Sequence, residues 1–507
     1  MSKGRYIFLV ATLLLISTSF VLEKYYSIDD LVTNLERFNR ESPQEKIYLH
    51  FDKPYYYSGE DIWFQAYVVA GSMHEPSLLS KKIYVELVGP QEELVKRLIL
   101  IAENGVVNGD FNLRARLASG NYTIRAYSNW MRNFDQDFFF NKKIAIVDPI
   151  QDNLPNTNDD SPLEIQFYPE GGDLISDVVS RVAVKVNSEK VLGAFRKGKV
   201  FDQNEEEVAV FETNVDGIAS FNIQPHYSNQ YHAKVDGTSD KYFLPEAKRL
   251  GYNLMVDALG EKKSVEVTIG TNKATGDGHK MYLIVHTRGV ITYAGQIEFK
   301  SDMAKHDIPT TDFVTGVNHV TLFNERWQPV SERLFFYNAN DNLSISIETD
   351  RAEYSTRDST TVIIKVADKD SKPVQGIFSM TTLDSAQINT EYTEENILSN
   401  ILLTSDIKGY IHNAGRFFTG TDDGLRHELD LVLMTHGWRI FDWKKIVAGN
   451  FTNQEYGGEQ GITLQGRLLT SQGGKPVSKG EVTHMGTFNS VSTMASTRSF
   501  EEGFFVL

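Results

Sequence analysis

Two short motifs have spacings that are used for phosphate binding and for serine nucleophiles. Residues Gly193 to Lys199 fit G-x-x-x-x-G-K, but Val200 stands where a hydroxyl would ligate Mg²⁺, and a strand pattern follows instead of a helix. Ser405 and Lys408 match S-x-x-K, yet no K-T-G or S-D-N sequence accompanies them. Both motifs therefore favour ordinary turns, and we expect no nucleotide site and no serine enzyme.

The histidines and acidic turns show no metal-binding signature. None of the twelve histidines belongs to an H-E-x-x-H pair, and His279 and His286 stand on either side of a strand pattern. We expect His436, at the end of a helix pattern, to be a capping or core residue. The acidic turns 368–371 and 421–424 lack the ligand count of a calcium loop. We expect no metal, no cofactor and no enzyme, and the alternative is a site assembled from distant loops.

A third motif combines acidic, basic and tyrosine side chains in one turn. Proline fixes φ, the Ser-Gly pair supplies a turn with a residue that tolerates positive φ, and two carboxylates flank a lysine that can pair with either. Turn chemistry explains each residue type, so we interpret the motif as a fold determinant and, as the weaker alternative, as a contact surface. Its members are Asp52, Lys53, Pro54, Tyr56, Gly59 and Glu60.

The same turn occurs a second time without a gap. Asp52, Lys53, Tyr56 and Glu60 align with Asp350, Arg351, Tyr354 and Asp358, and the inward-facing Ile62, Phe64, Ala66 and Val68 align with Thr360, Val362, Ile364 and Val366. We predict equivalent strands facing a core in both copies, because register is kept along with the turn. Gly59 should take a positive φ, whereas Arg357 at the matching position should require a different turn geometry.

Composition supports a folded, multidomain chain. The 507 residues are 41% hydrophobic and 11% aromatic, with a formal net charge of -16 and no cysteine. At about 100 residues per β-sandwich this length predicts four to five domains. The acidic balance disfavours nucleic acid, which is bound mainly through Lys and Arg. Without cysteine there is no disulfide, thiolate catalysis or cysteine zinc site.

The N-terminus predicts export. Lys3 and Arg5 precede the mostly apolar run Tyr6 to Leu22, and Ser17-x-Ser19 offers a small-residue cleavage site. We predict a cleaved signal peptide, with an uncleaved membrane anchor as the open alternative. The expected location is the periplasm, the outer membrane or the cell surface.

Three helical patterns interrupt an otherwise β-rich sequence. Ser27 and Asp30 predict a capped helix with an apolar face of Ile28, Leu31, Leu35 and Phe38. Thr393 is the predicted cap of a second helix, and Leu425, Leu429, Val432 and Leu433 form a third stripe that ends at Gly437. The rest alternates with period two, which predicts an all-β fold with a short N-terminal helix and a partly helical insertion near 389–446.

The pattern divides the chain into nine segments. These are a signal peptide at 1–19, a helical lead at 20–44, β-sandwiches at 45–148, 163–247 and 248–340 with a linker at 149–162, a fourth β unit at 341–388, a helical or irregular segment at 389–459, and an incomplete sandwich at 460–507. The incomplete last unit suggests a truncated reading frame.

Residues Glu45 to Phe64, with Gly120 to Tyr127, resemble the second macroglobulin domain of alpha-2-macroglobulins, which carries an Asp-Lys-Pro-x-Tyr-x-x-Gly-Glu hairpin. The resemblance covers residues 45–148, and Ser379 to Asp384 are more weakly similar to a later macroglobulin strand. It implies a string of macroglobulin- or immunoglobulin-like β-sandwiches, in which the fourth β unit is also macroglobulin-like.

Further motifs resemble large exported envelope proteins of Bacteroidota. In these proteins macroglobulin-like sandwiches precede a carboxypeptidase-regulatory-like domain and often a plug domain like that of TonB-dependent receptors. The motifs are Phe167 to Asp173, Gly316 to Asn324, Glu332 to Phe336 and Leu429 to Trp438, and Gly461 to Leu507 resemble the start of the regulatory-like domain. No plug sequence follows here, so the resemblance does not support a role in transport, and we interpret the chain as a truncated relative of plug-domain outer-membrane proteins.

The resemblance also implies protease trapping, but one residue of the thioester-like motif excludes the covalent form of it. Tyr456 to Gln460 are similar to the Gly-Cys-Gly-Glu-Gln thioester of alpha-2-macroglobulins, but Gly457 occupies the cysteine position, so covalent capture is excluded. We expect a non-enzymatic envelope protein that acts as a binding or spacer module, with other envelope or outer-membrane proteins as partners. The alternative is a non-covalent endopeptidase inhibitor with proteases as partners, whose bait loop would lie within 389–424.

Overall fold

Three two-sheet sandwiches dominate the structure and confirm the predicted all-β class. The computed structural model describes residues 27–115, 117–149, 163–187, 195–259, 263–273, 280–299, 301–384, 394–420, 422–437, 441–451, 454–461, 464–488 and 491–506. The predicted signal peptide, and the linker apart from Pro149, lie outside the described residues. No helix in these described ranges is long and apolar enough to cross a membrane.

The first element is helix α1, Ile28–Glu41, and its cap is as predicted. Ser27 Oγ accepts the N–H of Asp30, whose carboxylate accepts the N–H of Ser27 in return. Leu31 and Leu35 are fully buried, and they pack in one cluster with Trp443 and apolar residues of the third sandwich. The helix therefore stabilises a distant part of the chain instead of the sandwich that follows it in sequence.

The first sandwich has a four-stranded and a five-stranded sheet. β3 pairs with β1, β4 and β7, and the other sheet has the order β2-β9-β8-β5-β6, in which β2 and β9 are parallel. The strands are Glu45–Phe51 (β1), Tyr55–Tyr57 (β2), Asp61–Ala70 (β3), Glu75–Pro76 (β4), Lys82–Val88 (β5), Leu94–Ile101 (β6), Val106–Asn112 (β7), Gly120–Ser128 (β8) and Phe140–Val147 (β9). In β3 the predicted face of Ile62, Phe64, Ala66 and Val68 is buried between the sheets.

The second and third sandwiches each combine a three-stranded with a four-stranded sheet. The second contains Glu164–Pro169 (β10), Ser180–Asn187 (β11), Lys197–Phe201 (β12), Glu207–Glu212 (β13), Ile218–Ile223 (β14), His232–Val235 (β15) and Tyr242–Phe243 (β16). The third contains Tyr252–Asp257 (β17), Ser264–Thr271 (β18), Lys280–Thr287 (β19), Val290–Glu298 (β20), Met303–Pro309 (β21), Gly316–Phe323 (β22) and Pro329–Tyr337 (β23). Each sandwich has its own apolar core between its sheets.

Two further units contain only two-stranded sheets among the described residues. Ser344–Thr349 (β24) pairs with Val362–Ala367 (β25), and the C-terminal unit pairs Gln465–Arg467 (β26) with Phe504–Val506 (β29) and Glu481–Phe488 (β27) with Val491–Arg498 (β28). The prediction that Val362 and Ile364 face a core is wrong: their side chains are exposed, and Thr360 lies outside the strand. The pairing register of β24 and β25 is set by neighbouring residues, whereas burial of their aliphatic face requires a second sheet from another part of the chain or from a partner.

The described part of the helical insertion contains three α-helices. They are Ile397–Leu402 (α2), Asp423–Thr435 (α3) and Trp443–Ala448 (α4). The proposed cap Thr393 lies outside the described residues, and Asn396 is the residue that caps α2. α3 packs its predicted stripe against apolar residues of both the second and the third sandwich and thereby joins the two, although Leu425 at its start is only partly buried.

Candidate functional site

The first copy of the repeated turn is held by one aspartate. Asp52 Oδ1 accepts the hydroxyl of Tyr56 at 2.6 Å and the N–H of Trp63 at 3.0 Å. Tyr56 is fully buried, and its oxygen accepts the N–H of Lys53 at 3.2 Å. Burial, followed by the bond to Asp52, raises the pKa of Tyr56 well above its ordinary value. The hydroxyl is therefore a permanent donor that fixes the turn.

A second carboxylate closes the same turn. Glu60 Oε2 accepts Lys53 Nζ at 2.8 Å and the N–H of Tyr57 at 2.9 Å. Gly59 has φ +89°, as predicted, and Pro54 directly precedes β2. Of the two carboxylates that flank Lys53, Glu60 is the one that pairs with it, while Asp52 is used by Tyr56. The motif residues thus act together as turn determinants.

The second copy reproduces this geometry bond for bond. Asp350 Oδ1 accepts the hydroxyl of Tyr354 at 2.6 Å and the N–H of Thr361 at 2.8 Å. Asp358 accepts a guanidinium N–H of Arg351 at 3.4 Å and the N–H of Ser355 at 2.9 Å, as Glu60 accepts Lys53 Nζ and the N–H of Tyr57. Arg357 has φ +72°, so the prediction of a different turn geometry is wrong. Four matched carboxylate bonds hold a left-handed residue in place even without glycine.

The two copies differ in what covers their strands. Ile47 and Leu49 are 2% and 1% exposed, whereas the equivalent Ile345 and Ile347 are 55% and 61% exposed. The five-stranded sheet covers the first pair, and no described residue covers the second pair to that extent. We call β24 and β25 together the open sheet. A contiguous exposed aliphatic patch of this kind is uncommon on a soluble protein.

The open sheet continues into an extended segment that is attached to the first sandwich. Val374 N–H bonds to Val366 O at 3.0 Å, and Ile377, Phe378 and Met380 are exposed beyond it. Ser379 Oγ lies 2.6 Å from His50 Nδ1 and accepts the hydroxyl of Tyr67 at 2.8 Å. Thr381 donates to Asp52 O at 2.7 Å, so the attachment begins beside the first copy of the turn.

A buried charge network joins the second sandwich, the third sandwich and α3. Glu170 pairs with Arg181 at 2.7 Å and with Arg333 at 2.8 Å, and both arginines also pair with Asp430 on α3. Burial alone would raise the pKa of Glu170, but Arg333 and Arg181 outweigh it and lower that pKa. Two arginines balance two carboxylates, so the network is neutral and fixes the sandwiches to the helix.

The network explains three of the motifs found in the sequence. Glu170 belongs to Phe167–Asp173, Arg333 to Glu332–Phe336 and Asp430 to Leu429–Trp438. A Cβ at Gly171 (φ +83°) would lie 2.5 Å from Ser331 Oγ, so this turn packs against β23 only as glycine. Sequence reasoning missed the network, although a lone acid inside the buried run of α3 was a usable signal.

A second buried pair fixes the insertion to the first sandwich. Lys46 Nζ on β1 lies 2.6 Å from Asp406 and donates to Ile401 O at 2.7 Å. Burial lowers the pKa of Lys46 to about 8, although Asp406 acts in the opposite direction. Ile401, Leu403 and Ile407 are buried, so this part of the insertion is packed.

The thioester-like residues form a strap on the first sandwich. We use the name strap for residues 454–460. Glu459 accepts Lys82 Nζ at 3.0 Å and the hydroxyl of Tyr84 at 2.8 Å, and Asn133 accepts the N–H groups of Glu455 and Tyr456 at 2.9 Å. The motif therefore has a packing role in this chain.

The remaining candidate residues have structural surroundings. His436 caps α3, and burial followed by nearby Lys185 lowers its pKa to about 4, so it is a neutral core residue. Lys408 pairs with Asp135 at 2.7 Å and Asp137 at 3.0 Å. Asp368 accepts backbone N–H groups of its own turn. Within the described part of the chain, no group of three His, Asp or Glu side chains could hold a metal ion.

No protein-family model and no curated protein matches the chain. Alpha-2-macroglobulin from Escherichia coli aligns at 11% identity and a TM-score of 0.18, over 64% of this chain and 25% of that one. Dimeric latent PorU from Porphyromonas gingivalis aligns at 11% identity and 0.24, over 64% and 34%. A tetra-tandem repeat of a large adhesion protein aligns at 10% identity and 0.19, over 65% and 89%. The chain spans about a quarter of the length of the macroglobulin. Because these TM-scores are low, the fold is assigned from the strand pairing of this chain alone.

Proposed function

We propose that the protein is a non-catalytic binding module of the cell envelope that docks through its open sheet onto another envelope or outer-membrane protein. The observation that carries this proposal is the exposure of Ile345, Ile347, Val362 and Ile364, which are aliphatic at positions that are buried in the first copy. Fully burying one such side chain contributes about 1.5–3 kcal/mol, so covering the patch is strongly favourable.

The first copy indicates the kind of partner. There, the equivalent face packs against the five-stranded sheet through apolar side chains. The partner surface is therefore an apolar face of a β-sheet. The buried charge network and the Lys46–Asp406 pair support the module role, because they hold the three sandwiches and the insertion in one packed arrangement that presents the open sheet.

The envelope location rests on the N-terminal sequence. Lys3, Arg5 and the apolar run Tyr6 to Leu22 have the order of an export signal, and the periplasm, outer membrane or cell surface follows from it. Cell fractionation with intact-mass measurement tests this location. A mature N-terminus near Phe20 supports cleavage, an unprocessed membrane-bound chain supports an anchor, and recovery in the cytoplasm contradicts both.

Non-covalent protease inhibition receives no specific support from the described residues. Inhibition of this type needs an exposed bait loop, and the candidate was 389–424. In its described part, Ile401, Leu403, Ile407 and Phe417 are buried, and 385–393 lie outside the described residues. Incubation of the purified chain with several endopeptidases tests the alternative, because unaltered protease activity would eliminate it.

A photocrosslinking experiment tests the docking surface. A photoreactive amino acid replaces Ile347 in the open sheet or, as the control, Ile99 on β6, which is exposed to a similar extent at 57%. We expect one defined envelope protein to crosslink from position 347 only, and to bind the purified chain directly. Ile347→Glu and Ile364→Glu should abolish that binding, whereas Ile99→Glu should not. Identical results at positions 347 and 99 would refute the docking surface.

A further inference from the structure

A small pocket opens on the outer face of the five-stranded sheet of the first sandwich. Its volume is about 230 Å³, and it lies between β5, β6, β8 and the strap. Glu86 on β5 forms its base and is completely buried, although it lies on the face opposite the sandwich core. A buried carboxylate has to be compensated by cations or donors.

Two arginines and a tyrosine compensate this carboxylate. Arg97 Nε donates to Glu86 at 2.7 Å, Arg125 Nε at 2.9 Å and the hydroxyl of Tyr127 at 2.9 Å. Arg97 and Arg125 also contact Glu86 through Nη2, so both guanidinium groups are fixed side by side. Their side chains remain 47% and 37% exposed, which leaves their outer edges accessible from the pocket.

A third arginine completes the pocket. Arg132 lies 3.9 Å above the ring of Tyr456 in the strap, and its Nη1 donates to Asn129 at 2.9 Å. The pocket therefore contains three guanidinium groups and one carboxylate, an excess of two positive charges in a chain of net charge -16. An excess of this kind attracts an anion, because the like charges of the guanidinium groups repel one another.

Further donor groups line the same pocket. No described residue accepts a bond from Nη1 of Arg97 or of Arg125, and the amide of Gln136 also lines the pocket. The rings of Tyr127 and Phe139 stack at 4.6 Å and close one side. Guanidinium forks that are already oriented bind an oxyanion with little further loss of side-chain freedom.

We propose that this arginine pocket binds the oxyanion of a small ligand, a carboxylate or a phosphate carried on a group about the size of one side chain or one sugar. Glu86 at the base of the pocket orients the guanidinium groups of Arg97 and Arg125. Tyr456 in the strap positions the guanidinium group of Arg132. The site is separate from the open sheet, so its test is independent of the proposed docking function.

Calorimetric titration of the full chain with inorganic phosphate and, separately, with glutarate tests the pocket. Arg132→Gln removes a fork that does not pair with Glu86, and Arg97→Gln leaves Arg125 and Tyr127 on that carboxylate, so both variants should fold. We expect each to bind the preferred anion at least tenfold more weakly than the unmodified chain. Arg467→Gln, which removes an exposed arginine of the C-terminal unit, is the matched control and should bind normally.

Comparison of the phosphate and glutarate titrations identifies the class of ligand. Tighter binding of phosphate assigns a phosphate ligand, and tighter binding of glutarate assigns a carboxylate. Arg97→Lys retains the charge but loses the fork, so an affinity close to that of Arg97→Gln supports recognition by the fork. The proposal is overturned if neither anion binds, or if Arg97→Gln, Arg132→Gln and Arg467→Gln all bind as the unmodified chain does.

Discussion

The hairpin formed by β1 and β3 and the hairpin formed by β24 and β25 share one turn geometry and differ in their surroundings. Phe51 opposite Phe64 in the first corresponds to Thr349 opposite Val362 in the second, so the strand register is the same. Among the residues that the structure describes, a second sheet covers only the first hairpin. Turn and register are thus encoded within about 25 residues, whereas burial depends on segments far away in sequence.

The comparison also shows which bonds make the turn independent of burial. Asp350 and Asp358 use the same acceptor atoms as Asp52 and Glu60, and these contacts span at most eleven residues. Local side-chain to backbone bonds of this type need no covering sheet. The turn can therefore present an uncovered pair of strands in a defined conformation.

The largest expected difference between the hairpins concerns their equivalent apolar residues. Leu49→Ala should lower the free energy of unfolding by about 2–5 kcal/mol, because it leaves a cavity in a packed core. Ile347→Ala removes an exposed side chain and should change it by at most about 0.5 kcal/mol. Urea unfolding of both variants measures this difference.

For binding of the partner protein, Ile347→Ala should have the larger effect and Leu49→Ala the smaller one, which is the reverse of their effects on stability. Ile347→Ala should weaken binding of the crosslinked partner, and Leu49→Ala should not, provided that the variant is folded. Equal losses of stability for the two variants would mean that the open sheet is covered in the free chain, and the contrast between the hairpins would then be lost.

Lowering the pH should destabilise the parts of the molecule that contain buried histidines. Burial and Lys185 lower the pKa of His436 from its ordinary value of 6.5 to about 4, and burial followed by His319 lowers the pKa of His286 well below its ordinary value. Between pH 6.5 and 4 the unfolded chain binds a proton at His436 that the folded chain does not. The free energy of unfolding should fall over this window by about 3 kcal/mol at most from His436, since one pKa unit is about 1.4 kcal/mol.

Urea unfolding between pH 7 and pH 4 checks this dependence. His436→Gln should flatten the slope in that window, and His427→Gln, at an exposed position on the same helix, is the control. The hairpin of residues 344–367 contains no histidine, so its local hydrogen exchange should not share the acid effect. An unchanged slope for His436→Gln would contradict the neutral buried histidine.

The sequence predicted elements whose cause is local. The capping box of Ser27 and Asp30, the alternation of Ile62 to Val68 and the positive φ of Gly59 were all predictable, because each depends on neighbours in sequence. The boundaries of the predicted domains stay predictions, although the strands group within 45–147, 164–243 and 252–337.

Contacts between distant segments were beyond the sequence patterns. Glu170, Arg333 and Asp430 meet across about 260 residues, and the arginine pocket combines Arg97 and Arg125 with the strap at Tyr456. Periodicity gave the strand of Val362 and Ile364 but not its exposure, because an aliphatic strand has the same pattern whether or not another sheet covers it.

The smallest expected effect concerns the residue with positive φ in each turn, which is Gly59 in the first and Arg357 in the second. A Cβ at Gly59 would meet Ala115 Cα at an ordinary 3.8 Å, so Gly59→Val should cost only the strain of a positive φ, about 1–2 kcal/mol. Arg357→Gly removes that strain from the second turn and should stabilise it by up to about 1 kcal/mol.

Hydrogen exchange of two matched amides reports each turn separately. The N–H of Glu60 bonds to Tyr57 O at 3.1 Å, and the N–H of Asp358 bonds to Ser355 O at 3.1 Å. Glu60 should exchange faster in Gly59→Val, and Asp358 should exchange more slowly in Arg357→Gly. If Arg357→Gly leaves Asp358 unchanged or faster, the four carboxylate bonds already remove the strain at Arg357. The turn sequence would then hold its shape whichever residue occupies the left-handed position, and burial alone would distinguish the two hairpins.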